Sequence, residues 1–462
     1  MKYDVAVIGG GPAGYIAAIK AAQLGGKVIL FEKDTLGGTC LNRGCIPTKT
    51  YIKTAEEMDV IRTASKRGII NDPKAAVDMP KVVAYKDKVV KQLTGGVGAL
   101  LKSNDVTVVY GEAKMANETT IECGGNTYEA ASTILCGGSR PSVIPIPGVE
   151  SKNVLSSTEI LDLKELPEAL IVIGGGVIGC EMAVAFNGFG SKVTVIEALD
   201  RIAATMDSEV SAAMQKTLKK SGIDVLVGQK VEKIEDLSDG RIAVHYGEGK
   251  SVVGNKVLLS IGRVSELECT GALKDKIKVE RGKIVVDDHM RTSIPNIYAA
   301  GDINGKLMLA HTAFKMGEVA AANALGHDEV CNLNVVPSII YTIPEAASVG
   351  ITEEEAKKRY GEDGVAVGKF PFAANGRALA AGATEGFVKV VVDKKYGEML
   401  GVHIFGGAAA EMIAEPASLM ASEVPADMAA DIIHPHPSMS EAFMEACADA
   451  FGKCMHLPKA KK

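Results

Sequence analysis

Short apolar runs ending in glycine recur along this chain, and two of them open the same longer pattern. VAVIGGG (5–11) and IVIGGGV (171–177) each read as a buried strand entering a glycine turn. Gly9, Gly11 and Gly14 return as Gly174, Gly176 and Gly179, each 165 positions later, and Gly25, Lys27, Val28 and Glu32 return as Gly190, Lys192, Val193 and Glu197 at the same offset. Each copy predicts a strand, a G-x-G-x-x-G turn, an Ala-rich helix, a glycine stop, a second apolar strand and a closing acid. In both copies that acid stands 18 positions after the third glycine. Elsewhere the periodicity predicts a long helix over Met79–Ser103, strands over 133–136, 231–236, 242–246 and 252–259, and an Ala-rich helix over 309–325. The last block alternates apolar strands (387–393, 399–405) with helices (408–423, 440–455), an α+β pattern with an antiparallel sheet.

The repeated unit has a physical reading. Its first glycine permits a tight turn, its second lets a pyrophosphate approach the backbone, and its third lets helix pack on strand. The helix start then offers free N–H groups and the positive end of its dipole to phosphate. Glu32 and Glu197 stand where an acid accepts from ribose hydroxyls and repels a 2′-phosphate. The expectation is two bound dinucleotides, the second NAD(H) rather than NADP(H). The fold class is therefore α/β, with two Rossmann-like dinucleotide-binding domains (1–147 and 148–269), a central domain (270–336) and a C-terminal α+β domain (337–462). Pro141, Pro145 and Pro147 mark the exit from the first. Gly95 to Ser103 carries glycines and a Lys-Ser pair, but its spacing is not that of a phosphate loop and it continues a helical pattern.

Composition narrows the classes. At 47% hydrophobic and 23% charged, 462 residues form an ordinary globular chain rather than a disordered or fibrous one. The net charge of −6, with no dense basic stripe, argues against nucleic-acid binding. No run approaches a bilayer span, and the N-terminal apolar run is too short for a secretion signal. Lys459, Lys461 and Lys462 read as a solvated end. Nine cysteines, an odd number, favour a reducing cytoplasmic setting, in which a disulfide is more often catalytic than structural.

Two segments carry candidate chemistry. GGTCLNRGCIPTKT (37–50) places Cys40 and Cys45 five apart. On a regular helix five residues turn through about 500°, leaving the side chains some 140° apart. A disulfide between them therefore requires a distorted turn, for which Gly44 supplies the freedom. Pro47 suits a first helical turn, and a thiolate near that helix start is stabilised. Cys136 and Cys180 lie in apolar runs, and Cys123, Cys269, Cys331, Cys447 and Cys454 lack metal-ligand spacing, so no metal is expected. Near the other end, HPHPSMSE (434–441) sets His436 between two prolines with Glu441 following. A histidine whose far ring nitrogen donates to a carboxylate is oriented and made more basic, as a thiol's proton acceptor must be. His434 is a competitor for that role.

GGTCLNRGCIPTK closely resembles the active-site signature of the FAD-dependent pyridine-nucleotide disulfide oxidoreductases, and the resemblance runs along essentially the whole chain. Further segments fit in order. IYAAGD (297–302) contains the family's ribityl-binding aspartate, here Asp302, MLAH (308–311) places His311 beside the flavin, and YTIPE (341–345) resembles the start of the dimerisation domain. Lys49 and Glu181 match a lysine and glutamate paired near the flavin ring, and the motif selects His436 over His434, with Glu441 as its orienter. The resemblance implies FAD on Gly9, Gly11, Gly14, Glu32, Lys49, Asp302 and His311, and NAD on Gly174, Gly176, Gly179 and Glu197. It also implies a homodimer in which His436 of the partner subunit deprotonates the substrate dithiol. The dithiol attacks Cys40, and Cys45 passes the electron pair to the flavin. The implied partners are lipoyl-bearing proteins of 2-oxoacid dehydrogenase or glycine cleavage complexes. The chain departs from the pattern at Cys136-Gly137-Gly138 for the usual Ala-Thr-Gly, at Thr312 for a lysine, at Ser438 for a threonine and at Arg43 for a valine. None removes a group the mechanism needs; Arg43 is expected to tune the disulfide's potential or substrate preference. Glu197 counts against an NADPH-dependent glutathione-type sibling.

Overall fold

The computed structural model describes residues 2–458 except Asn71 and Pro73; the basic tail residues Lys459, Lys461 and Lys462 lie outside the described residues. The first apolar run forms the strand Lys2–Ile8 at the centre of a seven-stranded sheet. It pairs in parallel with Val28–Glu32 on one side and Asn126–Leu135 on the other. Val28–Glu32 is buried at every position, which is why it reads as an unbroken apolar run instead of an alternating one. Helix α1 (Pro12–Gln23) starts directly after the glycine turn, with proline in its first turn. Helices α2 (Gly38–Arg43) and α3 (Cys45–Thr63) carry the cysteine segment, and α4 spans Met79–Ser103.

The second unit repeats this plan in a five-stranded, all-parallel sheet, where Ala169–Ile173 lies between Lys192–Ile196 and Lys256–Leu259. Helix α5 (Val177–Phe189) stands where α1 stands in the first unit, and α6 (Ser208–Lys220) comes next. The last block is a five-stranded antiparallel sheet in which Met399–Gly406 and Phe387–Asp393 are buried at every position.

Four expectations need correction. The segment 270–336 is not a separate body: its strand Ile297–Ala299 joins the first sheet beside 133–135, and its helix α7 (Ala310–Ala324) shares a core with α1 through Ala313, Met316 and Ala320. Small alanines on both helices allow that close packing. The strand expected over 252–259 is two strands in different sheets, Lys250–Gly254 antiparallel to Ile242–Tyr246 and Lys256–Leu259 parallel to Ala169–Ile173. The chain switches sheets at Asn255, whose backbone and side chain both bond to Ala169 at 2.8 Å. The helix expected over 408–423 breaks into Ala409–Met412 and Ala414–Ala421, because Pro416 has no N–H for the Met412 carbonyl. The helix expected over 440–455 stops at Asp449, since buried Glu445 draws the chain back by accepting from Cys454 Sγ at 2.8 Å and the Met455 N–H at 3.2 Å.

The second unit is tied to the last block by buried charge. Lys389 Nζ lies 3.0 and 3.1 Å from the two oxygens of Asp207, which also accepts from the Glu209 N–H at the start of α6. Both side chains are sealed from solvent, and helix α8 (Glu353–Tyr360) supplies Glu353 as a second carboxylate to Lys389. Replacing the cation alone (Lys389→Met) leaves Asp207 buried and unpaired. We expect it to cost about 3–5 kcal/mol, seen as a lower urea midpoint; an unchanged midpoint would show that the pair does not hold the two units together.

Candidate active site

The two glycine turns are built alike to the level of single bonds. Gly9 and Gly174 both have φ of +105°, a conformation side chains rarely adopt. A Cβ at Gly14 would lie 1.7 Å from the Gly9 carbonyl oxygen, and one at Gly179 1.9 Å from that of Gly174, so both helix starts press on their strands through bare backbone. Gly11 and Gly176 differ, since a Cβ there meets nothing closer than 3.7 Å and nothing within 4 Å, respectively. Each is the N-cap of its helix, without a side-chain cap and with no acid in the first turn. The open face and the uncapped N–H groups fit a pyrophosphate in both places. Glu32 accepts from the Gly10 and Asp34 N–H groups at 2.7 Å each, and Glu197 accepts from Gly175 at 2.6 Å and Leu199 at 2.7 Å. The loop thus orients each carboxylate, whose remaining lone pairs are the ones a ribose would meet.

Between α2 and α3 the backbone breaks at Gly44 (φ −146°, ψ −110°). A Cβ at this position would lie 2.9 Å from the Thr39 carbonyl oxygen, so the chain folds tightly back and brings Cys40 and Cys45 together. Both are half-buried free thiols, and the Cys40 thiol donates to the Cys45 sulfur. That donation, with help from the Lys49 ammonium and against burial and the Glu181 charge, pulls the Cys45 pKa down to about 7. Cys45 is also the first residue of α3, where the helix dipole favours a thiolate. Cys40 moves the opposite way, its proton held by Cys45 and its charged form disfavoured by burial.

Lys49, one turn along α3, donates to both oxygens of Glu181 at 2.8 and 3.0 Å. Glu181 is buried on α5 and accepts in addition from the Tyr341 N–H at 3.0 Å, while Lys49 Nζ lies 4.4 Å from the centre of the Tyr341 ring. This knot draws together the redox helix, the second unit and the first strands of the last block. His311, at the start of α7, donates from Nε2 to the Pro337 carbonyl at 2.9 Å; desolvation pushes its pKa down against that bond. Arg43 pairs with Asp34, whose N–H donates to Glu32.

Asp302 lies past the end of the strand Ile297–Ala299. Its Oδ2 accepts from Ser139, its backbone carbonyl accepts from Ser265 at 2.6 Å, and Oδ1 has no protein partner among the described residues. Sequence reasoning missed Ser139 and the Arg263 that holds it. Both come after the carboxyl ends of parallel strands, where open α/β sheets place their ligands, and that position was the available signal.

At the far end of the chain, His436 Nδ1 bonds Glu441 Oε1 at 2.8 Å, and Glu441 also accepts from the Ser438 N–H at 2.8 Å. Burial raises the Glu441 pKa, but the Ser438 N–H and the imidazole outweigh it, so the net shift is downward. The His436 side chain is 77% exposed, and Nε2 has no partner among the described residues of its own chain. His434 is turned inward, buried, with Nδ1 on the Ile432 carbonyl and Nε2 2.8 Å from Glu415. It therefore does not compete for Glu441.

Two family models match: "Pyridine nucleotide-disulphide oxidoreductase" over residues 3–317 and its dimerisation domain over 336–447. The chain is 41% identical to the dihydrolipoyl dehydrogenase of Geobacillus stearothermophilus over 99% of its own length and 98% of the relative's. It is 42% identical to that of Thermus scotoductus, covering 98% and 99%. Among solved structures it is similar to the HOCl-induced flavoprotein disulfide reductase RclA of Escherichia coli, with a TM-score of 0.87 and 30% identity across 96% of this chain and 99% of that one.

The thiol arrangement makes a testable statement about charge. In the reduced protein one thiolate should titrate near pH 7. The ultraviolet thiolate signal should lose that step in Cys45→Ser and show it moved upward in Cys40→Ala, where the donated hydrogen bond is gone. A step that survives Cys45→Ser would assign the charge to the wrong sulfur.

Proposed function

The chain belongs to the pyridine nucleotide-disulphide oxidoreductase family, and from that premise we propose that it is a dihydrolipoyl dehydrogenase. It oxidises protein-bound dihydrolipoyl groups to lipoyl groups with reduction of NAD to NADH, as the E3-type component of 2-oxoacid dehydrogenase or glycine cleavage systems. The observation that carries this reading is the pair of half-buried thiols, Cys40 and Cys45, folded together at Gly44 one turn from the Lys49–Glu181 ion pair. FAD and NAD are its cofactors. We assign FAD to the first glycine turn with Glu32, Lys49, Asp302 and His311, and NAD to Gly174, Gly176, Gly179 and Glu197.

The residues set the direction of the chemistry. In thiol–disulfide exchange the sulfur with the lower pKa leaves faster. Attack on a Cys40–Cys45 disulfide is therefore directed to Cys40, with Cys45 departing as a thiolate beside the Lys49 ammonium. His436 of the partner subunit takes the proton of the attacking dihydrolipoyl thiol, its ring set by Glu441. The S–S bond between the cysteines breaks as a mixed disulfide forms between substrate and Cys40. The substrate's second thiol then closes the lipoyl disulfide and releases Cys40, which takes up a proton. FAD, when bound, supplies the route by which the electron pair now on the two cysteines reaches NAD.

The dimerisation domain supports a homodimer, and the exposed, already oriented His436 supports a site shared between subunits. Among the described residues no helix is long and apolar enough to cross a membrane. Cysteine usage supports a cytoplasmic setting.

Two outcomes are expected. His436→Ala should lower NAD reduction by dihydrolipoamide roughly 10²–10⁴-fold, and mixed dimers of His436→Ala with Cys45→Ser subunits should regain activity, because one of their two shared sites is intact. Mixed dimers as inactive as their parents would rule out a shared site. In steady-state kinetics NAD should be preferred over NADP by kcat/KM, with Glu197→Ala narrowing the margin; a preference for NADP would overturn the assignment of Glu197.

A further inference from the structure

The ribbon joining the first two units holds a chain of hydrogen bonds with a fixed direction. Residues 139–141 and 263–265 pair antiparallel, with Ser139 opposite Ser265. From this ribbon Arg263 Nε donates to Ser139 Oγ at 2.7 Å, and Nη2 donates to the Ser139 carbonyl at 2.6 Å. A hydroxyl has one proton, and with the guanidinium occupying a lone pair the buried Ser139 hydroxyl commits that proton to Asp302 Oδ2. Asp302 is thereby held with Oδ1 free of protein partners. Nη2 also reaches Thr39 Oγ1 at 3.4 Å, one residue before Cys40. A single planar cation thus reaches the carboxylate assigned to the ribityl chain through Ser139 and touches α2, the helix carrying Cys40, at Thr39.

We propose that Arg263 is a positioning residue that sets the flavin's ribityl anchor and helix α2 relative to one another, acting through Ser139 on Asp302 and through Thr39 on Cys40. Its planar fork suits the task, because two parallel donors fix Ser139 in orientation as well as distance, which a lysine's single ammonium does not. The charge is needed as well: a charged donor polarises the Ser139 hydroxyl and strengthens the bond it makes to Asp302. The inference rests on the assignment of FAD to the first unit.

FAD titration into apoprotein, followed by quenching of flavin fluorescence, provides the test, with Asp302→Asn as reference. Ser139→Ala and Arg263→Met should each weaken FAD binding about tenfold, with the double variant no weaker than the worse single one, since both cut the same path. Arg263→Lys should recover only part of the loss. In the two-electron-reduced holoprotein the long-wavelength thiolate–flavin absorbance should shift in Arg263→Met and stay unchanged in Ser139→Ala, which leaves the Thr39 arm intact. Wild-type FAD affinity in either single variant, losses that multiply in the double variant, or an unshifted absorbance in Arg263→Met would overturn the proposal. Failure of the wild-type apoprotein to take up FAD would instead overturn the functional assignment beneath it.

Discussion

Holding two thiols together across a break between helices is the constraint around which this molecule is arranged. Cys45 is the first residue of α3, it accepts the Cys40 hydrogen bond across the break at Gly44, and it sits one turn from the Lys49 ammonium. None of these would be secure alone. Lys49 is held by Glu181 on the second unit and lies against Tyr341 from the last block, so contacts from both parts fix where its ammonium stands. The buried carboxylate behind that ammonium acts against it, raising the Cys45 pKa while Lys49 lowers it. Redox poise and tertiary assembly are for this reason one property.

The duplicated turns show how one local solution serves two ends. Both acids spend their first hydrogen bonds on their own loops, through Gly10 and Asp34 in one copy and Gly175 and Leu199 in the other. Past the acid the copies diverge. After Glu32 the chain enters the cysteine segment; after Glu197 it proceeds to α6, whose capping residue Asp207 buries its charge against Lys389 of the last block. The first copy leads into the two neighbouring thiols, and the second is secured by an ion pair at its junction with the last block.

The sequence was most legible where backbone geometry restricts residue choice. Gly9 and Gly174 at φ +105°, and the contacts that exclude a Cβ from Gly14 and Gly179, leave glycine as the one residue that fits, so spacing alone exposed both turns. It was least legible where a side chain's partner comes from far along the chain. Arg263 and Ser139, 124 positions apart, carry no motif signal of their own. The run 252–259 has apolar ends around Gly254, Asn255 and Lys256, and reading it through as one strand passed over that break, where the chain turns at Asn255 and sends its halves to different sheets.

By itself the sequence determined the α/β class, the two glycine cradles and the two thiols at a helix break, which come from short-range rules: turn sterics, helix periodicity and the spacing of reactive groups over a few residues. The choice of His436 over His434, with Glu441 beside it, came from the family resemblance. Only the tertiary structure decided that the segment 270–336 completes the first sheet, that His434 turns inward while His436 stays open, and that one guanidinium reaches Asp302 through Ser139 and α2 through Thr39. Those outcomes depend on which surfaces meet when separate elements exclude water together, a matter of three-dimensional fit that a linear pattern does not encode.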